Sequence, residues 1–265
     1  MKPEQLRRYL EFYRDLGIKT LYRQEVSPPP RMSAASPADG GSESGEPPAP
    51  AAGDSLEAGP PEPMSLGLLP TPAPPGETLA KIRQELGECT RCRLYEGRNK
   101  LVFGVGDEHA RVVFVGEGPG AEEDAQGIPF VGRAGQLLTQ MIENTARKEG
   151  IPLLRKDVYI CNVVKCRPPE NRTPAPDEMK ICGEFLFRQL LAIRPKAIVA
   201  LGATAAKALL GKREGVTRLR GKWHRWHDIP VMVTYHPSYL LRPYNKNAKR
   251  ESWEDLKKVF HFVYD

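Results

Sequence analysis

The chain has 265 residues, five cysteines, a net charge of +6 and a pI near 9.0. It has no run of 18 apolar residues, which excludes a membrane helix, and no apolar signal core at its start, so a cytoplasmic protein is expected. Residues 27–76 carry one arginine and six acids, −5, which leaves +11 on the rest, an excess that favours a polyanionic partner such as nucleic acid.

The first 26 residues predict a helix. Leu6, Tyr9, Leu10 and Tyr13 recur at i, i+3, i+4 and i+7, with Arg7, Arg8 and Arg14 between them. Residues 27–76 hold 14 of the 26 prolines and no aromatic residue. Such a segment cannot bury enough apolar surface to offset its ordering entropy, so a disordered Pro/Ala/Gly-rich linker is expected there. A single domain is expected over 77–265. Helical patterns fall at 78–88, 133–149, 177–193, 203–210 and 249–263, and strand-like apolar runs at 112–116, 157–163, 197–201 and 231–235. Short buried strands alternating with helices predict a parallel, doubly wound α/β sheet, whose ligands sit beyond the carboxyl ends of the strands.

The residues with chemistry follow those ends. Gly116-Glu117-Gly118-Pro119-Gly120 comes straight after the first strand, and Glu122, Glu123 and Asp124 follow it. The loop lacks the Gly-Lys-Ser/Thr of a P-loop, and its acids would repel phosphate; they suit N–H groups, a water or a cationic transition state. Phe130 follows Gly127-Ile128-Pro129 and could stack on a flat ligand. Asn162 ends an apolar strand, where an amide could read a base edge. His236 precedes Pro237, which extends the backbone at a strand end. Basic residues mix with aromatics at 212–226 and 242–250, a composition suited to phosphate contacts and base stacking as well as to a solvated face.

Cys89 and Cys92 are spaced C-x2-C, and Cys166 and Cys182 C-x15-C. In an unsecreted chain such pairs point to metal ligation, and the spacing fits zinc nearly as well as an iron–sulfur cluster. Cys161, within Val158-Tyr159-Ile160-Cys161, reads as a buried core thiol.

Taken in order, Gly116 to Gly120 with Glu123-Asp124, then Pro129-Phe130-Val131-Gly132, then Asn162-Val163-Val164-Lys165-Cys166-Arg167-Pro168-Pro169, then His236-Pro237-Ser238 resemble the family 4 uracil-DNA glycosylases, over roughly residues 77–265. The resemblance implies a three-layer α/β/α sandwich with a central four-stranded parallel sheet. It implies a [4Fe-4S] cluster on Cys89, Cys92, Cys166 and Cys182. Glu117, Gly118 and Glu123 would line the uracil pocket, Phe130 would stack on the flipped base, and Asn162 would hydrogen-bond its edge. His236 would stabilise charge on the departing uracil. In the best-known branch of that superfamily an aspartate stands where this chain has Gly118, so the attacking water is either oriented by another group, such as Glu123 or Glu117, or barely activated. The Arg-rich loop Pro168 to Pro174 has no histidine of the kind that traps uracil-DNA covalently, so turnover is expected.

The function expected is a base-excision repair glycosylase acting on uracil-containing DNA as a monomer. The N-terminal helix would tether it to DNA or to a protein partner. The competing expectations are a non-catalytic iron–sulfur module that binds nucleic acid or accompanies a polymerase, and a zinc-stabilised hydrolase.

Overall fold

The computed structural model describes residues 76–212, 214–242 and 245–265. The expected N-terminal helix, and the linker up to residue 75, lie outside the described residues. The elements run α1 (Leu79–Leu86), β1 (Val105–Gly106), β2 (Val112–Gly116), α2 (Ala121–Gln126), α3 (Arg133–Lys148), β3 (Tyr159–Asn162), α4 (Pro176–Ile193), β4 (Ala197–Leu201), α5 (Gly202–Leu210), α6 (Val216–Leu219), β5 (Trp223–Trp226), β6 (Ile229–Thr234), α7 (Pro237–Leu240) and α8 (Lys246–Tyr264).

One sheet of six strands, ordered β1-β3-β2-β4-β6-β5, organises the domain. Its four inner strands are parallel, as expected. Every residue of β2, β3 and β4 is buried, which is why these strands read as continuous apolar runs rather than alternating ones. The pleat divides them between two cores. Val113, Val115, Ile198 and Ala200 face a core shared with α1, α4 and α5; Val112, Phe114 and Val199 face the other, shared with α3 and α8. Side chains such as Phe114 and Leu138 are fully buried, each worth about 1.5–3 kcal/mol of transfer free energy. Helix α1 shows the local logic: Thr78 accepts the Lys81 N–H at its start, Gly87 ends it at φ +45°, and Leu79, Ile82 and Leu86 form the buried stripe between.

The sheet also has two edge strands that the sequence did not signal, β1 and β5, both antiparallel to their neighbours. Strand β5 lies in the basic–aromatic stretch 212–226. Trp226 is buried there against Phe187, ring centroids 5.4 Å apart, so it serves the core and is not a stacking surface. Among the described residues no helix is long and apolar enough to cross a membrane.

Connectivity fixes where a ligand can sit. After β2 the chain crosses to β3 through α3, on one face of the sheet; after β4 it enters α5 on the opposite face. Strands β2 and β4 are neighbours, so a crevice opens between their carboxyl ends.

Candidate active site

A cavity of about 310 Å³ lies at this crevice. Glu117, Gly118, Glu123, Phe130, Asn162 and His236 all line it. Six residues separated by up to 119 positions in the chain are thus brought to one place by the ends of three parallel strands and the loops that follow them.

Glu123 holds two of the walls together. Its Oε2 accepts the Gly120 N–H at 3.1 Å, and its Oε1 accepts those of Val131 at 3.0 Å and Gly132 at 2.9 Å. One carboxylate therefore joins the Gly-rich loop to the segment carrying Phe130. Asp124, fully buried, does the same for the strand-free chain before β1, accepting from the Asn99 backbone at 2.9 Å and its side-chain amide at 2.6 Å. Both acids satisfy N–H groups, one of the uses their types allowed.

Phe130 adopts φ +54°, a left-handed conformation that costs a residue with a side chain of order 1–3 kcal/mol. Tight neighbours hold it there. A Cβ on Gly135 would lie 1.9 Å from the Phe130 carbonyl carbon, and one on Gly116 2.5 Å from its ring and 2.4 Å from Asn162 Oδ1. The two glycines thus let an aromatic ring lie across the end of β2. Its centroid is 5.6 Å from that of His236.

Asn162 pairs with Gly116 in the sheet register and is 1 % exposed. Its Oδ1 is buried without a hydrogen-bond partner. A native buried amide oxygen is rarely left so, and this one lines a cavity.

His236 caps α7. Its Nδ1 accepts the Ser238 backbone N–H at 3.3 Å and lies 2.8 Å from the Ser238 hydroxyl. An acceptor at Nδ1 leaves the ring proton on Nε2. Burial pushes the imidazole pKa down to about 4, against the opposing field of Glu123, so the ring is neutral at pH 7. Glu117, on the other side, accepts a hydrogen bond at Oε2 from the Thr204 hydroxyl.

A neutral imidazole donor, an unpartnered amide, an aromatic ring and a carboxylate meet at the strand ends. Residues 103–257 match the family model described as the uracil DNA glycosylase superfamily. This chain belongs to the uracil-DNA glycosylase superfamily. Relatives named type-4 uracil-DNA glycosylase include those of Thermotoga maritima (48 % identity, 71 % of this chain, 95 % of the relative), Archaeoglobus fulgidus (44 %, 69 % and 92 %) and Sulfurisphaera tokodaii (44 %, 69 % and 84 %).

In this superfamily member, the four predicted ligand thiols also converge. Cys89, Cys92, Cys166 and Cys182 line a second, narrow cavity beside Lys165 and Phe185. Three of the sulfurs have an N–H donor: Arg91 to Cys89 at 3.4 Å, Arg98 to Cys166 at 3.4 Å and the Lys165 backbone to Cys182 at 3.2 Å. Among the described residues no three His, Cys, Asp or Glu side chains are placed to hold a single metal ion. Burial raises the thiols of Cys92 and Cys166 and takes that of Cys182 to about 12. Cys161 is fully buried in β3 and does not line this cavity.

Three pocket residues, Leu201, Gly202 and Ala203, had no signal in the sequence, and Asn171, Arg172 and Ser238, which lie in loops noted there, had been given no role; all six line the cavity. Arg172 forms a bidentate pair with Glu178 at 2.9 and 2.7 Å, and Arg93 reaches the same carboxylate at 2.8 Å. Arg172 in the first place holds the Glu178 carboxyl down at about 2. Glu178 stands one helical turn before Cys182, so it links the pocket rim to the thiol cavity. The Pro-Glu-Asn-Arg sequence offered a basic loop but no sign of this pairing.

Proposed function

We propose that this chain is a DNA repair glycosylase that draws uracil out of DNA into the 310 Å³ cavity and hydrolyses its N-glycosidic bond, leaving an abasic site. Three relatives bearing the name type-4 uracil-DNA glycosylase, matched over most of their length, support the substrate and the reaction. The orphaned Asn162 Oδ1 is the observation in the structure that supports the base. That oxygen accepts from the N3–H of uracil and its NH2 donates to O4; cytosine presents the reverse pattern and is refused. A base within a duplex is out of reach, so it is flipped at a cost of a few kcal/mol, and Phe130 restores part of the lost stacking.

As the bond between N1 and C1′ breaks, its electron pair goes to the uracil and C1′ becomes cationic. His236 donates from Nε2 to the uracil oxygen where negative charge grows; a neutral donor suits a base that leaves as an anion. Glu117 faces the cationic sugar, holds the water whose oxygen adds to C1′ and takes the proton that this water loses, which passes on to solvent or to the uracil anion. Glu123 acts through the loops it joins, since both of its oxygens accept backbone N–H groups. Incubation with an oligonucleotide containing one uracil should leave a single alkali-labile site at that position; intact strands after alkali, beside a relative that cuts the same substrate, would end this reading.

The four thiols fit a [4Fe-4S] cluster. Four cysteines ring one cavity, and the sulfurs of Cys89, Cys166 and Cys182 each have an N–H donor suited to a thiolate. Lys165 lines the same cavity. It is fully buried, its Nζ donates to the Asn162 carbonyl at 2.8 Å and to Gln189 Oε1 at 2.6 Å, and burial lowers its pKa while negative charge on Cys161 and Cys182 opposes the fall. When bound, such a cluster crosslinks α4, the loop after β3 and the chain after α1. Cys166→Ala is expected to lose most of the iron and the brown colour, and Cys161→Ala to keep both. Equal iron loss in the two variants would show that the ligand set is drawn wrongly.

A further inference from the structure

The first turn of α5 touches both groups that handle charge in the pocket. Thr204, third residue of that helix and 6 % exposed, gives its hydroxyl proton to Glu117 Oε2. Glu117 Oε1 has no partner among the described residues. Gly202, first residue of the same turn, sits at φ +91°, and a Cβ there would lie 3.0 Å from the Cβ of His236. Neither position belongs to a motif that the sequence singled out. The hydroxyl bond fixes one oxygen of a carboxylate whose other oxygen is left for the reaction. The same turn sets how close the imidazole stands.

We propose that Thr204 is a positioning residue for Glu117, and that the turn Gly202 to Thr204 sets the separation between the carboxylate facing the cationic sugar and the imidazole facing the departing base. This rests on the glycosylase reading above. Without the hydroxyl, the Glu117 side chain would be free to rotate among its rotamers, and only a fraction of molecules would present Oε1 to C1′ at any moment. Ground-state DNA binding does not depend on that orientation, so the loss falls on the chemical step.

Thr204→Val is nearly isosteric and removes only the donor. Single-turnover excision from a uracil oligonucleotide is expected to slow about tenfold, the size of losing a hydrogen bond to a charged group. Affinity for the same DNA should change less than about twofold, because ground-state binding does not use the orientation that the hydroxyl fixes. Thr204→Ser, which keeps the hydroxyl, should recover most of the rate. In a Glu117→Ala background Thr204→Val should cost nothing further, because the two act as one unit. If Thr204→Val misfolds, Thr204→Ala carries the same expectation. The proposal is overturned if the valine and alanine variants cleave at the wild-type rate, if the serine variant is as slow as valine, or if the loss persists in full without Glu117. A wild type that leaves uracil DNA intact defeats the glycosylase reading; an active wild type with an unaffected Thr204→Val defeats only this one.

Discussion

His236→Ala is expected to slow single-turnover excision by about a hundredfold or more, the usual loss on removing one donor to a developing anion, roughly 3 kcal/mol. DNA affinity should fall far less. The donor proton on Nε2 is held there by the Ser238 N–H at Nδ1, and in the proposed reaction its contact with the base would strengthen only as charge collects there. Equal losses in binding and in rate would make His236 a structural residue instead. The pH profile carries the same content. With its pKa down to about 4, the imidazole stays neutral throughout the range in which a free histidine would titrate. The rate should therefore show no inflection near pH 6.5 that vanishes in His236→Ala. The effect on stability has a definite sign: the folded pKa lies below the unfolded one, so the unfolded chain takes the proton first. Stability from this group is complete above about pH 6.5 and declines as the pH falls towards 4. A His236-dependent fall in melting temperature on going up from pH 6.5 would contradict that assignment.

Asn162→Asp should cost about as much in uracil excision, on the order of a hundredfold, because a carboxylate offers no donor to uracil O4 and leaves that oxygen facing another acceptor in a site that is 1 % exposed. The same change presents two acceptors, one of which suits the amino group of cytosine. Single-turnover rates on matched uracil and cytosine oligonucleotides measure both effects. Wild-type activity on uracil in Asn162→Asp would remove Asn162 from base reading.

The parallel core of the fold was legible because its strands are buried on both faces and so appear as unbroken apolar runs, Val112 to Gly116 and Ala197 to Leu201 among them. Edge strands leave no such trace. Strand β1 has two exposed residues, and in β5 Trp223 and Arg225 are exposed while Trp226 is buried, a mixture that reads as a charged loop. Helix α2 was hidden because Ala121-Glu122-Glu123-Asp124 has no apolar stripe; it exists because Glu123 closes back on the Gly120 N–H. The pocket residues were visible where a type is out of place, such as an asparagine ending an apolar strand. Thr204 was not, since a threonine in an alanine-rich helix is ordinary until the fold sets it beside Glu117. Lys165 was missed for the opposite reason: a lysine next to a cysteine and an arginine reads as surface, and only tertiary packing shows it fully enclosed.

The carboxylate of Glu123 also bears on how the enzyme binds DNA. Three backbone N–H groups bound to one side chain mean that the walls at Gly120 and at Val131-Gly132 lose their conformational freedom when the chain folds, before any nucleic acid arrives. The cavity is then a fixed gauge. Among the described residues, a base that enters meets the walls at Gly120 and at Val131-Gly132 already joined, so the ordering cost of those two segments falls on folding and not on DNA binding.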